Sequence, residues 1–315
     1  MEINMVKVKS FVPKNQRGEP LPQCFGEYIY FDIEFNFFRD VDRTPSAELR
    51  DRYEARVCEC VLRLPESYSE TGEPTQLVIF CHGAGGRVCE SEGTIGGLSQ
   101  TAELFECGFA VLDVHGSIPS GLSMGSPEHI QALFKAYKFA IRHYNLTDRV
   151  LIGGESMGGT TAMNFLNTYP SVVLAAGLFY PRLNIDSVTV DGHFCLGTWD
   201  KTAKRPDGIS TRERVAENYR FGGGEWCEEN TVGFNPYRTR SFINNEGKRV
   251  LMPPCPIKVW QGDADTVVDP VMVSEFVASI RRGGCYAELR MLDGVAHHST
   301  PTMKRELALW FLRFV

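Results

Sequence analysis

Two stretches of this chain, GLSMG at 121–125 and GESMG at 154–158, fit the pattern G-x-S-x-G. That pattern often carries a nucleophilic serine, because small flanking residues permit a turn tight enough to lift the hydroxyl clear of its own backbone. A serine used this way needs a base to take its proton. It also needs N–H donors placed where negative charge develops on the attacked carbonyl oxygen. Further along lie three acids, Asp263, Asp265 and Asp269, and then the adjacent pair His297 and His298. The chemistry these residue types support is nucleophilic attack on an acyl group.

The elements around the two serines separate them. Ser156 follows VLIGG, a short apolar run that reads as a strand buried on both faces, and MGGTTAMNFL after it starts a helix at once. Gly158, Gly159 and Ala162 let that helix lie close to a sheet, and its N-terminus favours developing negative charge. Ser123 lacks this setting. The strand before it ends near Val114, HGSIPS intervenes, and the next helix begins only after Ser126. Ser156 is therefore the expected nucleophile, and Ser123 a loop residue whose match is chance.

The rest of the chain alternates in the same manner. Residues 27–37 and 55–64 alternate as half-buried strands and form a hairpin-like pair. Apolar runs at 75–83, 108–116, 148–154, 171–180, 256–262 and 286–292 read as buried strands. Helical patterns fill 127–143, 157–168, 270–282 and 300–315. Ser126 and Asp269 are natural caps, with Pro127 and Pro270 at the first helical positions. Strands alternating with helices predict an α/β fold, a mostly parallel sheet covered by helices on both faces. The alternation breaks at 181–254, a stretch of about seventy residues, too long for bare coil in a compact domain and expected to form a lid or cap. One domain over 1–315 is expected, with an N-terminal extension at 1–54 whose strand extends the sheet or forms an accessory layer.

At this point the chain resembles the α/β-hydrolase superfamily, on the side of serine esterases and the catalytic domains of prolyl-oligopeptidase-like peptidases. The resemblance covers about residues 55–315 outside the insertion and rests on four motifs in the family's order. These are CHGAGG at 81–86, GESMGG at 154–159, QGDADTVV at 261–268 and GVAHHS at 294–299. It implies Ser156 as nucleophile and Asp265, at the G-x-x-D position from Gly262, as the acid. Asp263 competes as a turn residue and Asp269 as a helix cap. It implies His297 as the base, three residues after Gly294, with His298 as the competing choice or a pocket neighbour. It implies an oxyanion hole of backbone N–H groups from Met157 and from Ala84 or Gly85. His82 is then a loop residue. CHGAGG lacks the G-K-[ST] ending of a phosphate loop.

The resemblance implies hydrolysis of a carboxylic ester through an acyl-enzyme, with no cofactor and no metal. A serine peptidase, an acyltransferase and a non-catalytic binding protein are the alternatives. In the insertion, Phe194, Trp199, Trp226 and Tyr237 line an acyl or aromatic pocket or form the insertion's own core. A formal net charge of −6 without a basic stripe excludes a nucleic-acid scaffold. The longest apolar runs, such as VVLAAGLFYP at 172–181, are too short to span a bilayer. MEINMVKVKSF has no apolar segment of a secretory signal. Of ten cysteines, several sit in apolar runs and none form C-x-x-C, which points to reduced thiols and a cytoplasmic location. The expected partner is a small-molecule ester, with no nucleic acid and no membrane.

Overall fold

The structure is a computed structural model that describes residues 5–6, 26–38, 53–89, 94–115, 123–185, 234–237, 242–243, 249–250 and 255–315. Nine strands among the described residues form one sheet. They are β1 (Met5–Val6), β2 (Gly26–Phe38), β3 (Tyr53–Pro65), β4 (Leu77–Cys81), β5 (Ala110–Val114), β6 (Val150–Glu155), β7 (Val173–Phe179), β8 (Ile257–Gly262) and β9 (Ala287–Leu292). Their order across the sheet is β1-β2-β3-β5-β4-β6-β7-β8-β9. From β5 to β9 every pairing is parallel, while β1, β2 and β3 add an antiparallel wing.

Five helices among the described residues pack on this sheet: α1 (Ala102–Glu106), α2 (Pro127–His143), α3 (Met157–Thr168), α4 (Pro270–Arg282) and α5 (Pro301–Phe311). The period of two along β4 shows how both faces are used. Leu77, Ile79 and Cys81 join a core built with α2, α3 and α4, whereas Val78 and Phe80 join a second core with α1 and α5. Every residue of β4 and β6 is buried, which is why these strands read as continuous apolar runs. The caps act as their residue types suggest. Ser126 accepts from the His129 amide, Asp269 from Val271 and Thr300 from Met303.

The N-terminal strand extends the main sheet. β2 pairs with β3 along its whole length, from Gly26 opposite Pro65 to Phe38 opposite Tyr53. Ile29, Phe31, Ile33 and Phe35 share one core with Cys58 and Cys60, whose adjacent thiols pack as small apolar groups. Two features depart from the sequence expectation. Helix α1 was not legible in its short sequence. The last helix stops at Phe311, and a single 3-10 turn, Leu312–Phe314, follows in place of helix to Val315. Of the 181–254 insertion, only 181–185, 234–237 and the antiparallel pair Phe242–Ile243 with Arg249–Val250 are described. No helix among the described residues is long and apolar enough to cross a membrane.

Sheet order fixes where a site can form. From β4 the chain moves to β5 on one side and then crosses to β6 on the other. In open parallel sheets, side chains at the carboxyl ends of strands flanking such a reversal converge on a crevice. The loops leaving β4, β6, β7, β8 and β9 all emerge at that edge.

Candidate active site

Ser156 connects β6 to α3 with φ +50° and ψ −117°, outside the regions an L-residue prefers. Three backbone hydrogen bonds hold it there. Its amide donates to Phe179 O at 3.0 Å, and its carbonyl accepts from Gly159 N at 3.0 Å and Arg182 N at 2.8 Å. Its hydroxyl does not cap α3 and lies 2.9 Å from Nε2 of His297. The tight turn also explains Gly158. A Cβ there would fall 1.9 Å from the Cys81 carbonyl oxygen, so only glycine lets α3 start against the end of β4.

Asp265 and His297 come from the loops after β8 and β9. Asp265, in the loop after β8, is buried. Its Oδ1 accepts from the amides of Val267 (2.8 Å) and Val268 (2.9 Å). Its Oδ2 accepts from Gln261 Nε2 at 3.1 Å and lies 2.8 Å from Nδ1 of His297. Burial pushes the carboxyl up, but the bond to His297 and the two loop amides outweigh it, so the net shift is downward from the ordinary carboxylate value. The β8 and β9 loops are clamped together. A Cβ on Gly262 would meet Val295 O at 1.9 Å, and Asp263 Oδ1 accepts from Gly294 N at 2.7 Å. Asp263 therefore joins the two loops, and Asp269 caps α4. His298 is exposed and stands outside the Asp265–His297–Ser156 line.

The loop after β4 forms a closed turn in which Gly86 N donates to Gly83 O at 3.0 Å. Ala84 and Gly85 are its exposed tip, and Gly85 has φ +83°, as the third position of a type II turn requires. A Cβ on Gly158 would also fall 2.7 Å from the His82 carbonyl oxygen, so the start of α3, with Met157 buried in it, packs against the entrance of this turn. His82 lies beneath the turn, 2% exposed, with Nδ1 2.9 Å from Gly83 O and its ring stacked on His115. Ser123 is 1% exposed and its Oγ is hydrogen-bonded to Nδ1 of His129 on α2. It is held in the interior behind α3, where Gly125 accepts from Asn164 Nδ2 at 3.0 Å. Phe194, Trp199 and Trp226 lie outside the described residues.

Two residues beside the site were not singled out from sequence. Glu155, immediately before Ser156, is buried and accepts from Gln100 Nε2 at 3.0 and 2.9 Å and from Tyr180 Oη at 2.6 Å. Tyr180, at the end of β7, sets its ring against His297 with centroids 4.5 Å apart. Glu155 fills the free position of G-x-S-x-G, and Tyr180 closes an apolar run, so neither carried a signal.

The family described as serine aminopeptidase, S33, matches residues 72–300. The chain belongs to this family. It is thus a member of the α/β-hydrolase superfamily. No curated protein matches the chain. Among solved structures, a puromycin-hydrolyzing peptidase of Mycobacterium tuberculosis is similar at 17% identity and TM-score 0.58. The match covers 82% of this chain and 37% of the peptidase chain. An acylaminoacyl peptidase of Pyrococcus horikoshii is similar at 14% identity and TM-score 0.57, over 90% of this chain and 41% of that one. Est1E of Butyrivibrio proteoclasticus is similar at 16% identity and TM-score 0.52, over 82% of this chain and 94% of that one. At such identities the likeness is one of fold.

Proposed function

We propose that the protein hydrolyses the carboxylic ester of a small molecule through an acyl-enzyme on Ser156. The observation that carries this is the continuous line from Asp265 Oδ2 to His297 Nδ1 at 2.8 Å and from His297 Nε2 to Ser156 Oγ at 2.9 Å. An ionised carboxylate only accepts, so Nδ1 carries the imidazole proton and Nε2 is left to accept from the hydroxyl. As Ser156 Oγ bonds to the substrate carbonyl carbon, its proton passes to Nε2. The oxyanion is met by the amides of Met157 and of Ala84 or Gly85. Collapse breaks the bond to the leaving oxygen, which takes the proton from Nε2. Water then repeats the sequence on the acyl-enzyme, its proton going to Nε2, and the acid is released with Ser156 restored.

Among the described residues, Glu155 supports ester over peptide. An aminopeptidase site needs a carboxylate left open for the substrate ammonium. Beside Ser156, the carboxylate of Glu155 is already bonded by Gln100 and Tyr180. The family description favours peptide cleavage as the second reading. The two are separated by assaying the protein against p-nitrophenyl acyl esters of varied chain length, aryl esters and peptidyl amides. Esters are expected to turn over with the higher kcat/KM. Preferential cleavage of the amides would assign the chain to the peptidases.

A further inference from the structure

His297 carries one hydrogen bond at each ring nitrogen, to Asp265 and to Ser156. Two bonds at opposite ends of a ring fix its position but leave it free to rock about the axis joining them. Something must pack on a face of the ring to stop that motion. Tyr180 does so, its ring tilted 61° to the imidazole with centroids 4.5 Å apart.

Tyr180 is itself held from both sides of the site. Its backbone has φ +35°, and its amide donates to Trp260 O at 2.7 Å. Its phenol donates to Glu155 Oε2 at 2.6 Å, and Ser299, two residues past His297, bonds the same phenol. Burial and the adjacent Glu155 carboxylate push the phenol's pKa up, so it stays a donor. Glu155 is fixed in turn by Gln100, and its side chain runs beside Gly83, where an added Cβ would lie 3.4 Å from Oε1. Glu155 thus touches the turn after β4, precedes the serine and reaches the residue packed on the histidine.

We infer that Tyr180 is a positioning residue for His297, and that Glu155 holds Tyr180 in place. This rests on the acyl-enzyme reading above and adds to it. The bond from Tyr180 to Glu155 couples the serine turn to the histidine loop. Nε2 then stays aligned through both proton transfers.

The test compares wild type, Tyr180→Phe and Glu155→Gln with a p-nitrophenyl ester and a fluorophosphonate that titrates Ser156. Tyr180→Phe keeps the ring but loses both polar bonds. Its kcat per titrated site is expected to fall about tenfold with KM nearly unchanged, since small misplacements of reacting groups lower rates steeply. Phosphonylation of Ser156 should slow by a similar factor. Glu155→Gln still offers an oxygen to the phenol, and Gln100 has an unpartnered buried Oε1 that can turn toward the new amide. It should retain more kcat than Tyr180→Phe. Wild-type kcat per titrated site and labelling rate in both variants would overturn the inference, as would a loss confined to the titratable fraction. A wild type that is never phosphonylated on Ser156 fails in a distinguishable way and removes the acyl-enzyme reading itself.

Discussion

Ser123 and Ser156 each pair with a histidine, and the surroundings of the two pairs decide what they can do. His297 is partly accessible and is backed by a carboxylate. His129 is buried, and burial together with the nearby His82 and His115 lowers its pKa from the ordinary 6.5 to about 3. His115 is lowered to about 4, by burial first and then by His82 and Arg87. Both are therefore neutral in the folded protein near pH 7. A base with a depressed folded pKa costs nothing above its unfolded value. It destabilises as pH falls below that value, because only the unfolded chain takes up the proton. Asp265, whose folded pKa is lowered, loses its contribution only in the acid range below the ordinary carboxylate value. Between about pH 6.5 and 4 the histidines dominate, at about 1.4 kcal/mol per pH unit for each proton. Urea midpoints are expected to drop steadily across this window, and His129→Gln should make the slope shallower. Parallel slopes for the two proteins would show that His129 is not buried as a neutral group.

The strand–turn–helix unit that holds Ser156 depends on close backbone approach. At Gly158 a methyl group would overlap the Cys81 carbonyl oxygen, and neither backbone can yield without moving α3 off β4. Gly158→Ala is expected to lower stability by about 1–3 kcal/mol or more, as overpacking does, and to slow phosphonylation by shifting the Met157 amide. Gly85→Ala is the comparison. An added Cβ there meets nothing within 4 Å, so the cost is confined to its φ of +83° and should be about 1 kcal/mol. Equal urea midpoints for wild type and Gly158→Ala would contradict this packing. This unit was legible in the sequence because its glycines interrupt an apolar run and its helix starts at once. The caps at Ser126, Asp269 and Thr300 were legible for similar local reasons. Helix α1 has five residues, too few for a period to register. The partnership of Glu155 with Tyr180 joins the ends of two successive strands across a whole helix, and nothing local marks it.

Across the whole molecule, the chain order serine, acid, histidine becomes a spatial order at the carboxyl edge of one sheet. The alternation of strands and helices was enough to expect that parallel sheet and its two helical layers. Whether β2 extended the sheet or formed a separate layer was not decidable from alternation, because either arrangement buries one face. Thirteen paired positions with β3 place it in the main sheet. The convergence of Asp265, His297 and Ser156 follows from β4, β6, β7 and β8 lying side by side, with β9 at the end. The choice of Asp265 over Asp263 and Asp269 needed the position in the loop as well as the residue type, since all three make hydrogen bonds. In the acyl-enzyme mechanism proposed above, one serine, Ser156, carries the chemistry. The most direct measurement is peptide mapping of the fluorophosphonate-treated protein, with Ser156→Ala and Ser123→Ala alongside. One adduct on Ser156 is expected, retained in Ser123→Ala and lost with ester turnover in a Ser156→Ala protein whose unfolding midpoint is unchanged. An adduct on Ser123, or wild-type turnover in Ser156→Ala, would contradict it.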